Sequence, residues 1–259
     1  MNLSRNRLIA FANRKGGCGK TTTAVNMAHA LALRGRRVLL LDLDPQSHAT
    51  ISLGVSPGKA SPHMLHLLRG DSSLPGTAME TDVPGVWLVP SARELMSFEI
   101  DFSPRAGSEL YLVERLGQDA EPYDYLIFDP PPTVGLLTVS ALVAAKEVYI
   151  PMPMHFLAME GLAEMMRLIY TVNANWNREL KMMGVIPTFY NSTTRIAREI
   201  TADIAQNFGP SKLLPGIRMN VSLAEAPGHG KSVMEYAPKS SGALDYMALA
   251  DHIDRGAAQ

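Results

Sequence analysis

The chain has 259 residues, 46% hydrophobic and 19% charged, which suits a soluble globular protein with a full core and one α/β domain spanning residues 1–259. Its net charge of −1 provides no global field to draw nucleic acid, so any such surface must be a local patch. One cysteine excludes an intrachain disulfide, a cysteine zinc site and a Cys-x-x-Cys metal carrier, and no stretch approaches the roughly 20 apolar residues of a membrane span.

Met1 to Arg7 form a short polar lead-in with no signal peptide, so a cytoplasmic location is expected. Leu8-Ile9-Ala10-Phe11-Ala12 reads as a strand. The next stretch is Arg14-Lys15-Gly16-Gly17-Cys18-Gly19-Lys20-Thr21-Thr22, and after it apolar residues recur at helical spacing to Leu33. Strand, glycine-rich turn and helix together make the context of a phosphate-binding loop. Gly16, Gly17 and Gly19 remove the β-carbons that would keep phosphate oxygens from backbone N–H groups. A helix starting near Lys20 aims its unpaired N–H groups at the same anion. Lys20 is expected to reach the β- and γ-phosphates, and the Thr21 hydroxyl to ligate Mg²⁺. Cys18 is read as a backbone donor, with a redox switch as the alternative, since Lys20 and the helix N-terminus are expected to lower its pKa.

Gly35-Arg36-Arg37 closes the first helix, and Val38 to Leu41 reads as a buried parallel strand. That strand delivers Asp42-Leu43-Asp44-Pro45-Gln46 at its carboxyl end, with Asp42 and Asp44 on one side of the extended chain. Residues 51–105 are less informative: loops at Ser56–Gly58 and Ser72–Gly76, a helix at Met64–Arg69 and a strand at Val86–Pro90. Tyr123 to Phe128 is a second hydrophobic strand, ending in Asp129-Pro130-Pro131, where an acid is placed to hold Mg²⁺. A helix is expected over Leu136–Ala145, a strand over Glu147–Pro151, a helix over Met154–Thr171, a strand over Met183–Tyr190 and a helix opening at Thr194. The methionines at 152, 154, 159, 165 and 166 read as core packing. The segment Leu244 to Asp254 is amphipathic but acidic, which argues for packing against the body rather than for a lipid surface.

The loop departs from the usual pattern: position 14 is arginine where glycine is common, and an additional Lys15 precedes the paired glycines. This Lys-Gly-Gly-x-Gly-Lys-Thr arrangement resembles the ParA/MinD family of deviant Walker A ATPases, and within it the short, Soj-like ParA proteins. The resemblance continues through Asp42–Thr50, Asp129-Pro130-Pro131, Leu157-Ala158-Met159-Glu160-Gly161-Leu162 and Asn220-Val221-Ser222-Leu223-Ala224-Glu225-Ala226-Pro227-Gly228-His229-Gly230-Lys231, and is weakest over 51–120. It implies a doubly wound, mostly parallel sheet with helices on both faces.

By that resemblance, Lys15 through Thr22 (Lys15, Gly16, Gly17, Cys18, Gly19, Lys20, Thr21 and Thr22) hold ATP, and Asn220 contacts adenine. Asp44 positions the attacking water, while Asp42 and Asp129 serve the metal region with Thr21. Lys15 would cross to the other subunit's phosphates, so that ATP joins a homodimer. Slow turnover, stimulated by the N-terminal peptide of a ParB-like or cargo adaptor, is implied, as is ATP-dependent nonspecific binding of nucleoid DNA. Arg195 matches a basic position of the family, with Arg198, Lys212 and Arg218 as further candidates, although Met219 and Ser222 stand where relatives have arginine. Without a preceding helix-turn-helix segment, operator recognition is not expected. The alternative is a MinD-like, membrane-associated spatial regulator.

Overall fold

A computed structural model describes residues 6–256 except Leu157, with the backbone alone at Gln118. The strands are β1 (Arg7–Phe11), β2 (Val38–Asp42), β3 (Met79–Glu80), β4 (Val86–Val89), β5 (Tyr125–Asp129), β6 (Glu147–Pro153) and β7 (Lys181–Thr188). The helices are α1 (Lys20–Ala32), α2 (His48–Ser52), α3 (Met64–Arg69), α4 (Leu74–Thr77), α5 (Met96–Phe102), α6 (Tyr111–Leu116), α7 (Leu136–Ala144), α8 (Ala158–Asn175), α9 (Arg195–Phe208), α10 (Val221–Glu225), α11 (Val233–Tyr236) and α12 (Ser241–Arg255).

The strands form one sheet in the order β3-β4-β2-β5-β1-β6-β7, parallel throughout except for the antiparallel β3–β4 edge. Continuous apolar runs such as Val38–Leu41 are required because both faces of a parallel sheet are covered. Alternate side chains supply two separate cores. Leu8, Ala10, Leu39, Leu41, Leu126 and Phe128 face one layer, whereas Ile9, Phe11, Val38, Leu40, Tyr125 and Ile127 face the other. The expected doubly wound architecture is therefore observed.

Several boundaries differ from the sequence reading. Helix α1 ends at Ala32 with Leu33 as its cap, and Gly35 turns the chain at φ 80° just beyond. Strand β6 runs on to Pro153, and α8 begins at Ala158 rather than near Met154. Prolines at 151 and 153 fit there because β1 pairs with β6 only as far as Tyr149, so no ladder bond on that side needs their missing N–H. Strand β3 is two residues long, too short to leave a period in the sequence. Leu157 of the resemblance segment lies outside the described residues.

The C-terminal helix packs as its acidic composition suggested. Tyr246 is buried against α1, its hydroxyl 3.2 Å from Thr23 Oγ1. Asp254 accepts from Arg34, Arg36 and the Tyr125 hydroxyl, and this set of donors holds its carboxyl down at about 2. Among the methionines, Met152, Met154 and Met165 are buried, and Met159 and Met166 pack on the core.

Candidate functional site

The phosphate loop leaves the carboxyl end of β1 and enters α1 at the centre of the sheet, where strand order reverses and ligand crevices form. Gly17 and Gly19 adopt φ of 69° and 88°, which side chains rarely tolerate. Gly19 caps α1 without a side-chain acceptor, so the first-turn N–H groups stay available to an anion. The loop is pinned from both sides. Asn13 accepts from the Lys15 N–H at 3.1 Å and donates to the Pro151 carbonyl at 2.8 Å, while Thr188 Oγ1 donates to the Cys18 carbonyl at 2.9 Å. Neither residue was singled out from sequence, although an asparagine accepting from the backbone N–H two residues on is a known turn former.

Lys20 is buried, and its ammonium donates to the Lys15 carbonyl at 3.2 Å. Lys15 is half-buried, and its aliphatic stem lies over Gly161 of α8 in the same chain. A Cβ at 161 would meet the Lys15 Cε at 3.2 Å, so the missing side chain leaves room for the lysine. Gly16 and Gly17 are exposed, with nothing within 4 Å of an added Cβ. Cys18 is buried and its thiol donates to the Lys15 carbonyl at 3.2 Å. Burial raises the thiol pKa and outweighs the opposing pull of Lys20, which corrects the expectation of a lowered value.

Three aspartates line the ends of the neighbouring strands. Asp42 and Asp129 are register partners across β2 and β5, and neither is exposed. Asp42 accepts from the Asp44 N–H, the Thr50 N–H and the Thr50 hydroxyl at 3.1, 2.8 and 2.7 Å. It therefore braces the loop after β2 instead of offering a bare oxygen outward. Asp44 is buried, and its Oδ1 accepts the Gln46 N–H at 2.9 Å. Ser47 follows in the left-handed region at φ 58°, and its strain marks this short loop as one held by its surroundings. His48 is exposed at the start of α2.

Asp129 is different. Both carboxylate oxygens are buried and neither has a partner at hydrogen-bond geometry, although the Thr21 hydroxyl lies near enough to favour the charged form. Burial pushes Asp42 up to about 7, with the Asp44 charge adding to the shift, and Asp129 well above the carboxylate range, with the Asp42 charge adding to it. An orphaned buried carboxylate beside a P-loop threonine fits a hard cation. Among the described residues no three His, Cys, Asp or Glu are grouped so as to hold a metal ion by themselves.

Beside the loop is a cavity of about 340 Å³, lined by Gly19, Thr22, Thr188, Phe189, Asn220 and Tyr246 among others. Its apolar walls and position next to the phosphate cradle suit a nucleobase. Asn220 caps α10 by accepting from Ser222 N–H and donates to Ser241 Oγ, so its amide is oriented at the cavity wall.

The four basic residues named from sequence do not form one cluster. Arg195, at the start of α9, pairs with Glu199 at 2.6 Å and its side chain is 88% exposed; Arg198 is also exposed. Arg218 is held by Asp245 through its N–H and guanidinium. Lys212 donates to the Met182 carbonyl near the start of β7, whereas Arg218 bridges Tyr190 beyond the other end.

A glycine-rich loop at the switch point, with acids ending β2 and β5, defines a P-loop nucleoside triphosphatase. The family model described as an AAA domain matches residues 6–182. The chromosome partitioning protein ParA of Caulobacter vibrioides is 35% identical over 249 residues, covering 95% of this chain and 93% of that protein. The chromosome-partitioning ATPase Soj of Thermus thermophilus is 39% identical over 247 residues, covering 95% of each. A solved structure titled cobyrinic acid a,c-diamide synthase from Mycobacterium smegmatis, with bound ATP analog and magnesium, superposes with TM-score 0.81 at 35% identity, over 96% of this chain and 95% of that one. The chain belongs to the ParA/Soj family of partitioning ATPases, and it is an ATPase.

Proposed function

We propose that this protein, acting as one domain, is an ATP-dependent dimerising switch that binds DNA without sequence preference and positions or segregates a cargo. ATP and Mg²⁺ are the ligands of its site. Lys20, with the N–H groups opening α1, cradles the phosphates, and Thr21 and Asp129 hold the cation, which screens phosphate charge when bound. Asp44 orients the water that attacks the γ-phosphate, and Asp42 keeps Asp44 in place through its backbone N–H. Asn220 takes the adenine edge in the cavity beside the loop.

The observation that carries the dimer reading is the seat of Lys15. Its stem lies on Gly161, inside the segment that resembles the family's dimer-face motif, beside two glycines open to close approach. That rim is where a partner's phosphates would meet the lysine. Without a cation from each side, two facing triphosphates would repel in a poorly screened interface. Sedimentation of Lys15→Ala with a non-hydrolysable ATP analogue tests this: the variant stays monomeric where the parent dimerises. Wild-type dimerisation by the variant overturns the reading.

Nonspecific DNA contact rests on Arg195 and Arg198 at the exposed end of α9, with Arg218 close by in sequence to Met219 and Ser222. The expected stimulating partner is a ParB-like or cargo adaptor presenting an N-terminal peptide. The MinD-like membrane alternative is not favoured. The apolar face of α12 is already buried on α1.

A further inference from the structure

Between Asp129 and α7 the chain passes through Pro130, Pro131 and Pro132, which have no N–H, and then Thr133, Val134 and Gly135. Such a strap has few donors with which to fix itself. Its far end is α7, capped by Gly135, which has no side chain to accept from the first turn. The missing acceptor comes from another element. Glu99, on α5, accepts the Leu137 N–H through Oε1 at 3.1 Å. A Cβ on Gly135 would fall 2.1 Å from the same oxygen, so glycine there makes way for the carboxylate. Gly135 itself has φ −118°, a backbone open to any residue, so conformation alone does not require glycine. Thr138 adds a second hold by donating to the Thr133 carbonyl at 2.6 Å and, more weakly, to Pro131 at 3.2 Å.

The stretch carrying Glu99 also grips the other loop of the site. Ser91 N–H donates at 2.9 Å to Thr50 Oγ1, whose hydroxyl donates to Asp42. Residues 91–99 thus touch α2, which follows the loop after β2, at one end and the strap after β5 at the other. Phe98, buried and edge-on to Tyr111 of α6 at 6.3 Å between ring centres, fixes α5 against the body.

We propose that Glu99 is a positioning residue for ATP hydrolysis: by capping α7 from outside, it sets the strap that aims Asp129 at the cation. The inference rests on the reading of Asp129 as the metal-facing carboxylate.

The test compares Glu99→Ala, Glu99→Gln, Gly135→Ala and the double variant Glu99→Ala/Gly135→Ala, with Asp129→Asn as reference. Turnover is followed against Mg²⁺ concentration, and ATP affinity is measured in EDTA. Glu99→Ala is expected to lower kcat about tenfold and raise the Mg²⁺ needed for half-maximal rate several-fold, with ATP affinity in EDTA unchanged. Glu99→Gln keeps an acceptor oxygen and retains most of the rate. Gly135→Ala displaces the carboxylate and reproduces Glu99→Ala, but adds nothing once Glu99 is alanine. A merely structural role would lower the melting temperature without moving the Mg²⁺ half-point. Wild-type Mg²⁺ dependence in Glu99→Ala, with a shifted Asp129→Asn, overturns the Glu99 inference alone. Wild-type Mg²⁺ dependence in Asp129→Asn overturns the metal reading and this inference with it.

Discussion

Asp42 and Asp129 stand side by side as register partners at the carboxyl ends of β2 and β5, both fully buried, yet only Asp42 has donors for its oxygens. Burial raises the pKa of both acids, and the Asp42 charge raises that of Asp129 further. The arrangement suits a site completed by a cation and costs stability without one.

Asp129→Asn removes one of these charges while preserving shape. The nucleotide-free protein should gain on the order of 1 kcal/mol, seen as a higher melting temperature. MgATP turnover should fall by about 10²-fold or more. A variant that is both less stable and fully active would contradict the assignment.

Asp44 is buried at the mouth of the same loop, and its carboxylate accepts the Gln46 N–H. Asp44→Ala should slow the chemical step by about 10²-fold while leaving ATP affinity near the parent value. Single-turnover assays beside equilibrium binding separate the two effects. Dimers should persist in MgATP; rapid turnover would show that another group directs the water.

Arg218 is neutralised by a two-pronged pair with Asp245, which also accepts the Arg218 backbone N–H. Asp245→Asn keeps an acceptor for that N–H but removes the carboxylate charge. DNA affinity should rise, and the dependence of log K on log salt should steepen by about one. An unchanged slope in a titration at two salt concentrations would remove Arg218 from the contact surface.

His29, on α1, is buried with Nδ1 2.5 Å from Ser232 Oγ at the start of α11. Desolvation lowers its pKa below the ordinary 6.5, and the nearby Glu235 opposes this only in part. A histidine lowered on folding binds fewer protons than in the unfolded chain, so stability falls as pH drops through about 6.5 and levels off below the folded value. His29→Gln should flatten that part of the stability profile in urea titrations between pH 5 and 7. An equally steep profile in the variant would assign the acid sensitivity elsewhere.

The phosphate loop was legible because its chemistry is local: glycines, lysines and a threonine at fixed spacing between a strand and a helix. The parallel strands were legible because burial on two faces demands unbroken apolar runs, as in Val38–Leu41 and Tyr125–Phe128. Residues 51–120 were opaque for the opposite reason. Ser91 and Glu99 act through a backbone N–H and a helix cap on segments 41 and 38 positions away, and such contacts leave no period in sequence.

Sequence alone determined the fold class, the nucleotide chemistry and the two lysines of the loop, since each depends on residue type at short spacing. Tertiary structure decided which charges are available. It engaged Asp42 and left Asp129 bare, paired Arg218 with Asp245, and carried Lys212 to the start of β7. Whether a charge is satisfied depends on what distant segments bring within about 3 Å of it, and that distance exists only once the chain has folded.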